Sequence, residues 1–144
     1  GVGRTAIAHN LAVALGQIAG SRVALVDGDP VPGDLRLHLE APDDAASLVQ
    51  LPSGHVTEAD LAPRLWQDAA GLDVLLAPPR MEEADLVMTA DVQRAHHLLR
   101  QMFDLVVIDV PAVMDERTLS MLDDADVVLD VTTPRHGAVR KTQR

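Results

Sequence analysis

Cysteine and tyrosine are absent from the 144 residues, and Trp66 and Phe103 are the sole aromatic side chains. The lack of thiols excludes a disulfide framework, a thiol nucleophile and thiolate metal ligation, and suits a reducing compartment. With so few aromatics the core must be built from Leu, Val, Ile and Ala, which favours parallel strands covered by helices on both faces. No apolar run approaches the ~20 residues that a membrane-spanning helix needs. No charged n-region followed by an apolar h-region marks a secretory leader. Positive charge is also sparse. Against 22 acidic residues stand 12 basic ones, a formal net charge of −10 that repels nucleic acid and anionic lipid at long range. The basic cluster Arg135, Arg140, Lys141 and Arg144 has no interleaved aromatics and reads as a solvated helix start rather than a nucleic-acid contact.

What the chain does have is 47% apolar residues, enough for one domain with a real core. Residues 5–19 read as a helix, with Ile7, Leu11, Ala14, Leu15 and Ile18 at helical spacing and Gly20 as its stop. Strands are expected over 22–27, 72–77, 104–110 and 126–132, the third being the most strongly apolar, and helices over 91–102 and 116–122. Asp130 interrupts the last strand and must be paired if buried. Between 31 and 71 four prolines break the chain, and 44–51 and 57–66 read as short surface helices. Alternation of strands and helices implies right-handed crossovers and an α/β, doubly wound, mainly parallel sheet.

The chemistry-bearing residues fall at the ends of these strands. Gly1-Val2-Gly3-Arg4-Thr5 matches the second half of G-x-x-x-x-G-K-[ST], in which backbone N–H groups cradle phosphate, a basic side chain neutralises it and a hydroxyl ligates Mg²⁺. Asp27 and Asp29, Asp109, and Thr132-Thr133 close three strands. The ligand crevice of an open α/β sheet lies beyond the carboxyl ends of its strands, so these residues are expected on one rim. The start of the first helix, an anion-favouring element, lies beside it. Other polar groups read more plainly. Asp115-Glu116 starts a helix, and Asp123, Asp124 and Asp126 form a solvated loop. His96 and His97 diverge on their helix, and His9, His38, His55 and His136 lack metal spacing with one another. Met81, Leu86, Val87 and Met88 are expected in the core, with a partner or dimer surface as the alternative.

Gly1-Val2-Gly3-Arg4-Thr5, Val26-Asp27-Gly28-Asp29-Pro30 and Val107-Ile108-Asp109-Val110-Pro111 resemble the deviant Walker A, Walker A′ and Walker B segments of MinD/ParA-type P-loop ATPases. Within that superfamily the chain is most similar to the CpaE/TadZ branch of pilus assembly. Gly33-Asp34-Leu35, the run 71–80 and Asp126-Val127-Val128-Leu129 leading to Val131-Thr132-Thr133-Pro134 carry that finer likeness. The resemblance implies a P-loop fold truncated at both ends, with 1–144 a partial ATPase domain. The strand before the loop and the adenine-contacting segment would lie outside it. ATP and Mg²⁺ are the implied cofactors. Gly1, Val2, Gly3, Arg4 and Thr5 would bind phosphate, and Thr5, Asp27 and Asp109 would hold Mg²⁺ directly or through water. Asp29 would orient or activate the attacking water, with Arg4 assisting catalysis. Arg4 stands where the pattern has Lys, a change that alters size, planarity and hydration. A homodimer formed through the ATP site, in the cytoplasm and recruited to the membrane or cell pole, would localise a pilus or secretion apparatus. A partitioning ATPase and a non-hydrolysing localisation scaffold are the alternatives.

Overall fold

The computed structural model describes residues 3–29 and 32–133. Helix α1 (Arg4–Ala19) leads into strand β1 (Val23–Asp27), and α2 (Asp34–His38) follows. A 3-10 turn over Leu48–Gln50 and the short α3 (Glu58–Leu61) come next, then β2 (Trp66–Gln67), β3 (Asp73–Leu75) and α4 (Met81–Ala84). The longer α5 (Thr89–Met102), β4 (Leu105–Asp109) and α6 (Glu116–Asp124) complete the order. The sheet runs β2-β3-β1-β4, with β1 parallel to both neighbours and β2 antiparallel to β3. The expected mainly parallel sheet with helices on both faces is what forms.

Strand periodicity explains the two cores. Side chains alternate across a strand, so Val23 and Leu25 pack with Val74, Leu76, Ala8, Ala12 and Leu35 on one face. Ala24 and Val26 pack with Leu75, Leu61, Ala95, Leu98, Leu99 and Phe103 on the other. All five residues of β1 are buried, as a central strand covered on both faces requires. The sheet-facing side of α1 is Ala8 and Ala12, one turn apart, whereas Ile7 and Ile18 are exposed. Small residues let the helix axis approach the sheet closely, with Leu15 packing at the margin of the core, so of the expected apolar positions Ile7 and Ile18 are the ones left outside.

Five other expectations are corrected. Residues 126–132 form no strand, and Val127, Val128 and Leu129 lie exposed. Among the described residues no strand lies on the outer side of β4, and the segment does not pair with that edge. For the same reason β4 is only half-buried, with Leu105 40% exposed, although its sequence is the most apolar. The surface helix at 44–51 shrinks to the 3-10 turn, whose capping residue Ser47 is fully buried and whose Leu48 N–H donates to the Leu76 carbonyl. The helix at 57–66 ends early because Pro63 turns it into a 3-10 segment, after which Trp66 begins β2. Met81, Leu86 and Met88 are exposed, and of that group Val87 alone packs against the core. The Asp115 carboxylate does cap α6, accepting from the Thr118 N–H at 2.9 Å.

The position where β1 meets β4 admits only glycine. A Cβ on Gly28 would sit 2.7 Å from the Asp109 carbonyl oxygen and 3.2 Å from both Ile108 Cγ2 and Met121 Sδ. Gly28 N–H donates to that same carbonyl at 3.0 Å, so the strands cannot separate without losing the bond. Gly28→Ala is therefore expected to destabilise the chain by about 2 kcal/mol, read from the midpoint of denaturant unfolding. Gly16→Ala, inside α1 with nothing nearer than 3.9 Å, is the control and should be neutral or stabilising.

Candidate phosphate and cation site

Register brings the site together. Asp27 pairs with Asp109 across the parallel β1–β4 ladder, so two strand ends deliver carboxylates side by side. The first helix enters from above them. Gly3, its N-cap, has φ +87°, a left-handed conformation that suits glycine and turns the chain into α1. Thr5 Oγ1 then donates to Asp109 Oδ2 at 2.6 Å, and Arg4 Nη1 donates to the Val110 carbonyl at 2.7 Å. A hollow at this point is lined by Arg4, Thr5, Asp27, Asp29, Asp34 and Asp109.

Asp27 is the most constrained of these groups. It is 3% exposed; the Asp29 N–H donates to its Oδ1 at 3.2 Å, while its buried Oδ2 has no hydrogen-bond partner. Burial pushes the Asp27 carboxyl up from 3.8 to about 7, helped by the negative charges of Asp29 and Asp109 and opposed by backbone N–H groups of Asp29 and Ala77. An orphaned carboxylate oxygen beside a second carboxylate and a hydroxyl is a donor set for a hard divalent cation, which prefers oxygen ligands and retained water. The residues present thus fit Mg²⁺, with Thr5 and Asp109 as the groups that would hold it and Asp27 behind them.

Arg4, Thr5, Asp27, Asp29 and Asp109 meet as the sequence predicts. Gly1 and Val2 lie outside the described residues, as do Arg135, Arg140, Lys141 and Arg144. Thr132 and Thr133 do not line the hollow. Asp34, the first residue of α2, was not anticipated as a site residue, and an acidic residue after Gly33, at a helix start, was its available signal. Gly33 is needed there, since a Cβ would fall 3.1 Å from Asp29 Cβ and 3.3 Å from Asp27 Oδ1. Arg36, one helical step on, is buried, and its guanidinium donates to the carbonyls of Pro42 and Ala77, pinning the end of β3 beside Asp27. His96 and His97 diverge as expected. Burial lowers His96 to about 4, so it stays neutral, while His97 lies within hydrogen-bonding distance of Gln101. His9 and His38, by contrast, are brought side by side although 29 positions separate them.

Comparison with known proteins agrees with this geometry. The family model described as cellulose biosynthesis protein BcsQ matches residues 1–144. The chain is 32% identical over 147 residues to the septum site-determining protein MinD of Bacillus subtilis, covering 100% of this chain and 53% of that one. A ParA family ATPase from Chlorobium tepidum superposes with a TM-score of 0.85 at 25% identity, over 98% of this chain and 60% of the other. MinD from Pyrococcus horikoshii, complexed with Mg-ADP, superposes with a TM-score of 0.79 at 25% identity, over 97% and 56% of the two chains. The chain spans about half the length of the curated relatives it matches.

The raised Asp27 value fixes a sign. Between about pH 4 and 7 the folded chain keeps a proton that the unfolded chain has released, so stability falls as pH rises through that window. Asp27→Asn removes the buried charge. It is expected to raise the unfolding free energy at pH 8, by on the order of 2 kcal/mol, and to change it little at pH 4. Thermal melts of both chains at the two pH values check this, and an equal effect at both would contradict it.

Proposed function

Since the chain belongs to the cellulose biosynthesis protein BcsQ family, within the MinD/ParA-type P-loop ATPases, we propose that it binds ATP with Mg²⁺ and works as a nucleotide-switched dimer. The observation that carries the reading is the junction of Thr5 Oγ1 with Asp109 Oδ2 at 2.6 Å, which places the start of the phosphate-loop helix on the acid that closes β4. Bound there, Mg²⁺ would neutralise phosphate charge during transfer to water. The chain's own residues do the rest. The amide N–H groups at the start of α1 bind phosphate oxygens, and Arg4 adds a fixed positive charge. Asp29, beyond the end of β1, orients the attacking water. Asp27 anchors the loop through the Asp29 N–H and gives up its proton when a cation arrives.

The process served is positioning of a cell-envelope apparatus. The description of the matching family, cellulose biosynthesis, supports a polysaccharide-synthesis machine as the client; the CpaE/TadZ likeness supports a pilus or secretion machine. The ParA-family neighbour supports a partitioning role, which predicts salt-sensitive, ATP-dependent DNA binding. Arg4 favours a further reading as a non-hydrolysing scaffold. Its guanidinium is held on the Val110 carbonyl at 2.7 Å, where a lysine would be free to follow the phosphate. Among the described residues no helix is long and apolar enough to cross a membrane.

Mg²⁺-dependent ATP binding and turnover, measured on the full-length protein, test these readings. Binding is expected to survive Asp29→Ala while turnover falls by a factor of about 100 or more. Arg4→Lys is expected to raise turnover. Tight binding with no turnover in any variant would leave the scaffold reading, and no binding would overturn the phosphate site itself.

A further inference from the structure

We infer that His9 and His38 form a binding site for a borderline divalent metal ion such as Zn²⁺, separate from the nucleotide site and clipping α1 to α2. His9 Nδ1 and His38 Nε2 lie 3.1 Å apart, and the two rings stand edge to face at an interplanar angle of 81°. Two nitrogens bound to one tetrahedral Zn²⁺ at the usual bond length are about 3.3 Å apart. The nitrogens therefore stand at nearly the separation that a shared ion requires, and turning the rings so that both lone pairs meet at one point lets the ion replace the proton between them.

The other side of His9 is already built for this. Its Nε2 meets Asp68 Oδ2 at 2.9 Å, and because a carboxylate only accepts, that nitrogen carries the proton. The lone pair of His9 is thereby placed on Nδ1, facing His38. Asp68 is itself fixed, since its Oδ1 accepts from the Ala70 and Leu72 N–H groups at 2.9 Å each, and its side chain is 5% exposed. Carboxylate, imidazole and metal in that sequence is the arrangement in which an outer carboxylate orients a metal-bound histidine and raises its basicity. Imidazole donors select Zn²⁺, Cu²⁺ or Ni²⁺ over Mg²⁺ and Ca²⁺, which take oxygen. Among the described residues no three His, Cys, Asp or Glu side chains converge on one point, so the ion takes two nitrogens from the protein and its remaining ligands from solvent.

The location gives the site its interest. His9 lies one helical turn beyond Thr5, and α2 begins five residues after Asp29. A metal joining His9 to His38 ties the helix of the phosphate loop to the helix that follows the second carboxylate loop.

Calorimetric titration of the tag-free full-length protein with Zn²⁺, in excess Mg²⁺ so that the carboxylate site is occupied, tests the assignment. One equivalent is expected to bind. Affinity should fall at least tenfold in His38→Gln, an exposed position whose change leaves the fold intact, and about tenfold in Asp68→Asn. Co²⁺ should give the visible absorption of a low-symmetry nitrogen site in the parent and lose it in His38→Gln. No saturable binding, or equal affinity in the parent and His38→Gln, would overturn the site.

Discussion

A carboxylate held out of water at the end of the central strand governs this structure. Asp27 cannot move, because β1 is covered on both faces and Gly28 locks it to the Asp109 peptide. It cannot ionise cheaply either, because burial and the neighbouring Asp29 and Asp109 oppose its charge. Buried carboxylates whose charge is opposed in this way concentrate at functional sites, where a bound cation can offset the penalty. The Asp29 and Ala77 amides oppose the penalty, the nearby Arg36 guanidinium adds positive charge, and a cation held by Thr5 and Asp109 would add more.

The surrounding elements follow from that constraint. α1 lies close to the sheet through Ala8 and Ala12, and this approach brings Thr5 to Asp109 and Arg4 to Val110. α2 returns Arg36 to the carbonyl of Ala77, the residue whose N–H also faces Asp27. Each contact joins an element terminus to a strand end, so the rim is rigid although the segments that form it come from distant parts of the chain. Rigid placement of charge before any ligand arrives is what a phosphoryl-transfer site requires.

Much of this was legible in the sequence, for reasons that can be named. The β1 and β3 runs are apolar and short, and their spacing from α1 and α5 leaves a doubly wound sheet as the simple solution. Asp27, Asp29, Asp109 and Thr5 fall at strand or helix ends, where their types have chemical meaning. Three things were hidden. The packing face of α1 was obscured because an Ala-rich helix is apolar nearly all round and two of its large residues, Ile7 and Ile18, are exposed. The edge position of β4 was invisible because pairing depends on neighbours rather than on composition. The meeting of His9 with His38 and Asp68 depends on how α2 and the β2–β3 turn pack against α1, and sequence spacing carries no trace of it.

The segment beyond α6 combines an apolar run with flanking charge. Among the described residues no strand pairs with the outer edge of β4, and Val127-Val128-Leu129 is a strand-forming apolar run a short distance along the chain. Together these are the ingredients of edge-to-edge association between molecules. Asp126 and Asp130 bracket the run, and Asp126 is held by Arg100 at 3.2 Å. Asp126 and Asp130 thus stand as charged gatekeepers that make stacking of one chain's apolar triplet on another's unfavourable.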